Sequence, residues 1–451
     1  MKLSSPAKGG DAVAPLLPEF RPIAASNGDG GREASVPGAV FNLATTIIGA
    51  GIMSLPAAVR VLGVVPALFL VVAAAFLADA SAVFLLRYAG SGGAAPFSYA
   101  ATMGEAFGRV GSLALHVCVG LTTAGTLTVY LVIIGDVLSG SQSEGVGHIG
   151  VLQEWFGERW WNARAVALLF TAVFIMLPLV LLRRVDSLRF TSAISVLLAV
   201  VFMCISTGMA LYALFHGATE TPRLLPDFGH MSSIFELFTA VPIIVVAFTF
   251  HFNVHPIRAE LSKTSDMMVA VRISILLCSV IYAAIGFFGY LLFGESTMAD
   301  VLSNFDRDTG SPIGSLLNDA VRLSYVLHLA LVFPLLFFSL RISIDELLLP
   351  RASHHASDTC RFVLLTVLLL GFIYTASILF PSIWTLFQFF GSTTAVCVSL
   401  IFPAAIVLRD VEGISKTRDK VVASAMLALA VVTSSIAIGS NIVSHLGGNR
   451  E

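Results

Sequence analysis

The chain alternates between long apolar runs and short segments that hold most of its charged residues. Dividing it at the charge clusters and at Gly or Pro gives eleven apolar segments, most of them about twenty residues long or longer. A helix of about twenty residues crosses the hydrocarbon core of a bilayer and satisfies its backbone hydrogen bonds internally. The sequence therefore predicts an all-α polytopic membrane protein.

The composition excludes other classes of protein. Hydrophobic residues make up 57% of the 451 residues and charged residues 12%, with a mean hydropathy of +0.89. A soluble domain carries about 25% charged residues, so this chain is not a water-soluble globule. The net charge of −2 offers no basic surface to nucleic acid. The five cysteines show no CxxC spacing, and we predict no metal site and no cofactor.

The predicted transporter domain, 36–445, contains two groups of five spans and one addition. We number the spans 1 to 11 in chain order, with limits near 36–60, 65–88, 110–139, 164–182, 189–215, 232–255, 269–293, 315–340, 362–380, 383–408 and 421–445. Spans 1–5 thus occupy about 36–215 and spans 6–10 about 232–408. Only Pro381 and Ser382 separate spans 9 and 10, but together these spans are too long for one crossing.

The basic residues predict the orientation of the spans. With the N-terminus in the cytosol, nineteen Lys and Arg residues lie on the inner side and seven on the outer side. Cytoplasmic loops retain positive charge, so this bias favours a cytosolic N-terminus and a lumenal C-terminus. Residues 1–35 are rich in Pro, Gly, Ser and Ala and are expected to form a disordered cytosolic tail. Residues 446–451 would form a short lumenal C-terminus.

Span 1 contains two glycines near its middle. The run FNLATTIIGAGIMSLP places Gly49 and Gly51 on either side of Ala50. Each Gly lowers helix propensity by roughly 1 kcal/mol, and unwound backbone is tolerated in a membrane only where it faces protein, water or a bound solute. The freed N–H groups suit a carboxylate and the freed carbonyls an ammonium, and an α-amino acid carries both. Close helix packing through small residues is the alternative explanation.

Span 6 contains a second interruption, five spans later. The run VPIIVVAFTFHFNVHPI carries Pro242 and Pro256 and, between them, the polar residues Thr249, His251 and Asn253. Corresponding interruptions in two halves indicate a transporter binding site. Since span 1 runs outward and span 6 inward, the halves would form a broken-helix, five-plus-five inverted repeat. We predict that the two breaks bind the substrate through Thr46, Gly49, Ala50, Gly51, Thr249 and Phe250.

These motifs resemble a known family. FNLATTIIGAGIMSLP, VVAFTFHFNVHPIRAEL, GFFGYLLFG (286–294), FPLLFFSLR (333–341) and FGSTTA (390–395) are similar to the amino acid/auxin permease family, over essentially all of 36–445. Within it the similarity is strongest to plant and yeast vacuolar amino-acid exporters, and next to sodium-coupled neutral amino-acid transporters. The resemblance implies an eleven-helix secondary active carrier that moves amino acids by alternating access.

The chain departs from the sodium-coupled relatives at their ion site. In those relatives an Asn of span 1 and a Thr of span 8 take part in sodium binding, and the motif overlay places Thr45 and Val332 there. A valine side chain offers no oxygen to a hard cation. We therefore expect proton coupling, with sodium coupling as the alternative.

Four buried titratable residues are candidates for the proton carrier. The weakest is Asp136, near the end of span 3, because a solvated helix end explains it, and three stronger candidates remain. Asp79 lies in span 2, His251 at the predicted break of span 6 and His328 in span 8. An ionisable residue at membrane depth is costly and indicates function by default, although each could be a structural group with hydrogen bonds to backbone. His251 is the sharpest candidate, because it lies at the break and a free imidazole titrates near pH 6.5. His251 and His255 have a spacing that suits a metal, but no HExxH acid lies between them.

The leading functional hypothesis is a proton-coupled exporter that moves amino acids from an acidic vacuole or lysosome-like lumen to the cytosol. The chain would bind amino acid, a proton and membrane lipid, and would act as a monomer. An amino-acid receptor that signals through its tail is a second class, but the tail is only about 35 residues long. No GxGD, membrane-embedded GxSxG or HExxH motif indicates an intramembrane enzyme.

Overall fold

The computed structural model describes residues 35–89, 98–143, 146–182, 189–226, 231–261, 263, 265–306, 312–348, 359–380 and 382–448. Of the predicted cytosolic tail, only Ser35 falls within these ranges. The predicted C-terminal segment, 446–451, is described only as far as residue 448. The prediction for the N-terminal tail therefore lies almost entirely outside the described residues, and so does half of the predicted C-terminal segment.

Each of the eleven predicted spans coincides with helix in the described part of the chain. Spans 1 and 6 are each made of two helices, and the other nine have one helix each. Span 1 consists of Val36–Ile47 and Ala50–Leu62, and span 6 consists of Met231–Ala247 and His251–Glu260. The helices of spans 2 to 5 are Val64–Tyr88, Tyr99–Ser139, Arg164–Val180 and Arg189–Phe215. The helices of spans 7 to 11 are Asp266–Phe293, Pro312–Leu348, Thr359–Leu379, Ile383–Arg409 and Thr417–Gly448.

Among the described residues, nine helices are long and apolar enough to cross a membrane, and the two helices of span 1 pass the same criteria together. Span 4 is a shorter apolar helix, Arg164–Val180. Spans 9 and 10 are separate helices, as predicted, and the Ser382 hydroxyl caps the start of span 10 by accepting from the Thr385 N–H at 3.3 Å. The chain is an all-helical, multi-pass membrane protein.

One pair of short strands lies between two of the helical spans. Ser141–Ser143 and Val146–His148 pair antiparallel between spans 3 and 4. These residues are polar or small, and the hairpin lies outside the predicted spans. Within Tyr99–Ser139, span 3 begins just after Gly108, close to the predicted limit, and a further helix from Tyr99 precedes it. The two helices meet in a kink at Gly108, whose φ of 66° lies in the region that favours glycine.

The interior of the bundle is formed by the broken helices and their neighbours. In the most apolar stretch of each of spans 3, 6, 8 and 10, about two thirds or more of the residues are buried, against a third or less in spans 2, 5, 9 and 11. Span 8 packs along spans 3 and 5, and the first helix of span 1 packs against spans 5 and 7. The breaks of spans 1 and 6 therefore lie deep within protein, as unwound backbone in a membrane requires.

Candidate substrate site

Span 1 is broken at the predicted glycines. Its first helix ends with Ile48 as the C-cap, and Gly49 is fully extended, with φ −133° and ψ −159°. A 3₁₀ helix then begins at Ala50, and the two halves are bent by 49°. The extended backbone interrupts the helical hydrogen bonds, so the Ile47 and Ile48 carbonyls need partners elsewhere, whereas the Gly49 carbonyl accepts from the Ile52 N–H at 3.2 Å.

Span 6 is broken between Ala247 and His251. Phe250 is the N-cap of the second helix, with φ −124° and ψ 0°. The Thr249 hydroxyl donates back to the Val245 carbonyl at 2.7 Å and so satisfies one acceptor near the end of the first helix. The helix therefore stops within the run of polar and aromatic residues that the sequence places there.

The two breaks touch one another. A Cβ atom added to Gly51 would lie 3.1 Å from the Cα atom of Ala247, closer than nine in ten Cβ contacts in proteins. The Tyr282 hydroxyl of span 7 donates to the Ala247 carbonyl at 2.9 Å and also contacts the Ile47 carbonyl. One side chain thus joins the carbonyl ends of both broken helices.

Two further carbonyls of the span 1 break are bonded by side chains of span 8. The Tyr325 hydroxyl donates to the Gly49 carbonyl at 2.7 Å. The Nε2 atom of His328 lies 3.1 Å from the Ile48 carbonyl, and the two rings stack with centroids 4.9 Å apart. Span 8 therefore holds the break in its unwound form.

The N-terminal ends of both second helices have no side-chain cap. Neither Gly49 nor Phe250 makes a capping bond, so N–H groups at these two ends are free to bind an anion. The Tyr130 hydroxyl of span 3 is directed toward the Ala50 N–H, and within the described chain it makes no hydrogen bond of regular geometry. A Cβ added to Gly49 would lie 2.2 Å from this hydroxyl. The arrangement suits a carboxylate flanked by carbonyls that can accept from an ammonium.

The predicted substrate residues divide into two sets. Gly49, Ala50 and Gly51 form the first break, and Thr249 and Phe250 lie in the second. Thr46 lies before the first break, and its hydroxyl is already occupied. It donates to the Asn42 carbonyl at 2.9 Å and accepts from the Asn253 side chain at 3.1 Å, while the Ser339 hydroxyl donates to Asn253. Substrate contact by all six residues remains a prediction.

The three stronger proton-carrier candidates occupy different environments. His251 is fully buried, stacks on Phe250, and is directed toward the Ala78 carbonyl of span 2 without a hydrogen bond of regular geometry. Asp79 forms an ion pair with Arg272 at 3.3 Å, and 66% of the Arg272 side chain is exposed. His328 alone of the three contacts the unwound backbone of span 1.

A cavity of about 1000 Å³ opens at the far end of span 1, on the side that the basic residues predict to be lumenal. Charged residues in its lining are Arg60, Asp136, Glu158, Arg164 and Asp300. Asp136 is paired with Arg164. No group of three or more His, Cys, Asp or Glu side chains in the described ranges could hold a metal ion.

The tyrosines of the site were not predicted from the sequence. Tyr130, Tyr282 and Tyr325 are each fully buried, in spans 3, 7 and 8. A signal was present, because each hydroxyl lies within an apolar run where it must find a partner.

Comparison with known proteins agrees with this architecture. The amino acid transporter AVT6C of Arabidopsis thaliana is 52% identical over 429 residues, which cover 95% of this chain and 97% of the relative. The amino acid transporter AVT6D of the same plant is 53% identical over 430 residues, with the same coverage.

Solved structures with a similar fold are more distant in sequence. A Na⁺-coupled sialic acid symporter in a substrate-bound, outward-open state superposes with a TM-score of 0.54 at 14% identity, covering 90% of this chain and 91% of the symporter. A manganese transporter of Eremococcus coleocola gives a TM-score of 0.51 at 14% identity, covering 91% and 85%. At this identity the likeness shows the fold alone.

The family is shown by the whole-length match. A family model described as transmembrane amino acid transporter protein matches residues 32–445, which includes every span. The relatives are about half identical over nearly their full length. The broken helices of spans 1 and 6 and these matches agree. The chain belongs to the family of transmembrane amino acid transporter proteins and is a carrier, not an enzyme.

Proposed function

We propose that the protein exports amino acids from an acidic, vacuole-like lumen to the cytosol in symport with protons, and that His328 carries the proton. Membership of the family provides the substrate class. The coupling ion, the direction and the membrane are the proposal. The hydrogen bonds of His328 are the observation that carries it.

Both ring nitrogens of His328 have acceptors within hydrogen-bonding distance. Nε2 lies 3.1 Å from the Ile48 carbonyl, and Nδ1 lies 2.7 Å from the Ser195 carbonyl of span 5. A charged imidazolium donates from both nitrogens, so it would join the break of span 1 to span 5.

The same site also accommodates the neutral ring. The Ser195 hydroxyl lies 2.9 Å from Nδ1 and can donate to it when that nitrogen has lost its proton. The ring then keeps its bond from Nε2 to Ile48 but loses the bond to the Ser195 carbonyl. One proton would therefore decide whether spans 1 and 5 share a charged hydrogen-bonded bridge, without leaving either nitrogen unpaired.

This position lies next to the residues that the family resemblance aligns with a sodium site. Val332, one helical turn after His328, is fully buried, and its side chain has no oxygen atom that could bind a cation. The Thr45 hydroxyl donates to the Ser192 carbonyl of span 5 at 3.0 Å. A titratable imidazole thus stands where spans 1, 5 and 8 meet, and this supports a proton in place of a metal cation.

The proposed cycle follows from linkage. A proton that binds one conformation more tightly shifts the population toward it, and substrate that prefers the same conformation is coupled to the proton. Protonation from an acidic lumen would favour the conformation described here, in which the lumenal cavity is open. Loss of the proton to the cytosol would release the Ser195 carbonyl and favour rearrangement of spans 1 and 5.

The test is flux in proteoliposomes with twenty labelled amino acids, with imposed pH or sodium gradients. We expect flux to follow the pH gradient, and His328→Gln to make it insensitive to pH between about 5 and 7.5, a range that brackets the free imidazole pKa. His251→Gln is the matched comparison and should keep the wild-type pH profile. Sodium-driven flux at constant pH would refute proton coupling. If only His251→Gln, or only Asp79→Asn, loses the pH dependence of flux, that residue and not His328 is the proton carrier.

A further inference from the structure

Three residues that line the lumenal cavity each have a buried polar side-chain atom without a hydrogen-bond partner in the described chain. The Oδ2 atom of Asp300, the Oγ atom of Ser139 and the Nε2 atom of His148 are buried and make no hydrogen bond within the described chain. All three residues line the same cavity of about 1000 Å³. Buried polar atoms are normally paired with protein, ordered water or a ligand, so these three atoms give the cavity hydrogen-bonding capacity for a polar ligand.

These residues are held by contacts that leave the three atoms free. The Oδ1 atom of Asp300 accepts from the Leu302 N–H at 3.0 Å, which fixes the carboxylate with Oδ2 unbonded. The Nδ1 atom of His148 lies 2.6 Å from the Asp306 carboxylate. Because a carboxylate only accepts, Nδ1 donates to it, and Nε2 is an acceptor in the form of the ring that carries one proton. The turn that holds Asp300 and the hairpin that holds His148 are thereby joined.

The Asp300 carboxylate is the group that favours a cation at this point. Asp136 is already paired with Arg164. The Arg60 guanidinium donates to the Glu295 carbonyl at 3.1 Å. Asp300 is 6% exposed, and among the described residues its free oxygen has no ionic partner within contact distance.

We propose that Asp300, Ser139 and His148 form a second binding site, specific for a primary ammonium group, in the lumenal cavity. A primary ammonium carries three N–H donors, which match a carboxylate oxygen, a hydroxyl and an imidazole nitrogen. The natural source is the α-ammonium of an amino acid, which the site would bind near neutral pH and release in an acidic lumen. The site rests on the amino-acid substrate class and not on the coupling ion.

Protonation of Asp300 competes with this ligand. Burial, and then the nearby Asp136 carboxylate, raise the pKa of Asp300 to about 7, while the Leu302 N–H and Arg322 act in the opposite direction. The other charged or titratable groups of the cavity lining are Arg60, His148, Glu158 and Arg164. Ammonium binding should therefore weaken as the lumenal pH falls below about 7.

Carbodiimide labelling of the full-length protein in lipid nanodiscs tests the site without transport. A hydrophobic carbodiimide modifies protonated carboxyl groups in apolar surroundings, and mass spectrometry of the Asp300 peptide follows its rate. We expect Asp300 to be labelled at pH 6.5, and methylammonium to slow the labelling about tenfold, the factor for one charge-assisted hydrogen bond of about 1.4 kcal/mol. Tetramethylammonium, with the same charge and no N–H group, should not slow it.

Variants separate the proposed site from general electrostatics. Ser139→Ala and His148→Gln should each reduce the protection by methylammonium. Glu158→Gln is the matched control, because Glu158 lines the same cavity but is exposed, and it should leave protection unchanged. Equal protection by both cations, no protection, or no labelling of Asp300 at pH 6.5 would each overturn the proposal. None of these outcomes depends on whether flux is driven by protons.

Discussion

The Nε2 atom of His328 lies 3.1 Å from the carbonyl oxygen of Ile48, the residue at which the first helix of span 1 ends. The residues are 280 positions apart, and only the packing of span 8 against span 1 brings them together. The contact places a titratable side chain on backbone that has left its helix. Any movement that rewinds or tilts span 1 must change it.

Replacing Gly51 with Val should abolish transport. A Cβ alone would lie 3.1 Å from Ala247, so the larger side chain must separate the two breaks, and overpacking of this kind costs about 1–3 kcal/mol. We expect flux to fall by about tenfold or more, since each 1.4 kcal/mol is a factor of ten. Gly208→Val is the control, because Gly208 lies in span 5 with open space around its Cβ position. Equal flux in the two variants would contradict contact between the breaks.

Gly49 and Tyr130 should behave as a coupled pair. Gly49→Ala places a methyl group 2.2 Å from the Tyr130 hydroxyl, which has to move away from the Ala50 N–H. Tyr130→Phe removes the hydroxyl and should raise the substrate concentration for half-maximal flux. We expect the double variant to be less impaired than the sum of the single effects, as for residues in contact. Additive effects would show that the hydroxyl and the break act separately.

Tyr282→Phe should destabilise the protein. It removes the donor shared by the Ile47 and Ala247 carbonyls and leaves both buried without that partner, at about 1–3 kcal/mol for a buried unsatisfied group. Thermal unfolding in nanodiscs should begin at a lower temperature than in wild type. Tyr374→Phe is the control, since Tyr374 also donates to a carbonyl, that of Ala165, but at an exposed position. An unchanged unfolding temperature in Tyr282→Phe would show that the two carbonyls have other partners.

Asp300 should make stability depend on pH. A free Asp carboxyl has a pKa of about 3.9. Since the folded-state pKa is raised to about 7, the folded protein binds the proton more tightly than the unfolded chain. The stabilisation of the folded protein by this tighter proton binding is present in full below about pH 4 and is lost as the pH rises through 7. Asp300→Asn should remove that part of the pH dependence of thermal unfolding, and Glu158→Gln should not. If Asp300→Asn leaves the pH dependence of the unfolding temperature unchanged, that dependence comes from other groups.

The two ends of the chain should lie on opposite sides of the membrane. Eleven crossings and the excess of basic residues on one side predict a cytosolic N-terminus and a lumenal C-terminus. Terminal tags in sealed, oriented vesicles should be cleaved by external protease at one end only. Cleavage at both ends, or at neither, would show an even number of crossings.

The sequence by itself determined the class of protein, the spans and the two breaks. Apolar runs report membrane crossing directly, because the bilayer sets the length of helix that must be apolar. The glycine pair at Gly49 and Gly51 marked the first break, since its effect on the backbone is local. The run around Thr249 marked the second for the same reason. The motifs at these breaks were also sufficient to indicate the family.

Only the tertiary structure decided which side chains serve the breaks. The sequence favoured His251, which lies at a break, but the ring is directed to Ala78 of span 2, and Asp79 is paired with Arg272 near the surface. His328, Tyr282 and Tyr325 instead bond the freed carbonyls. These contacts join spans far apart in the chain, and their geometry depends on the rotation and tilt of each helix. Nearest neighbours in sequence carry no information about those angles, which are set by packing throughout the bundle.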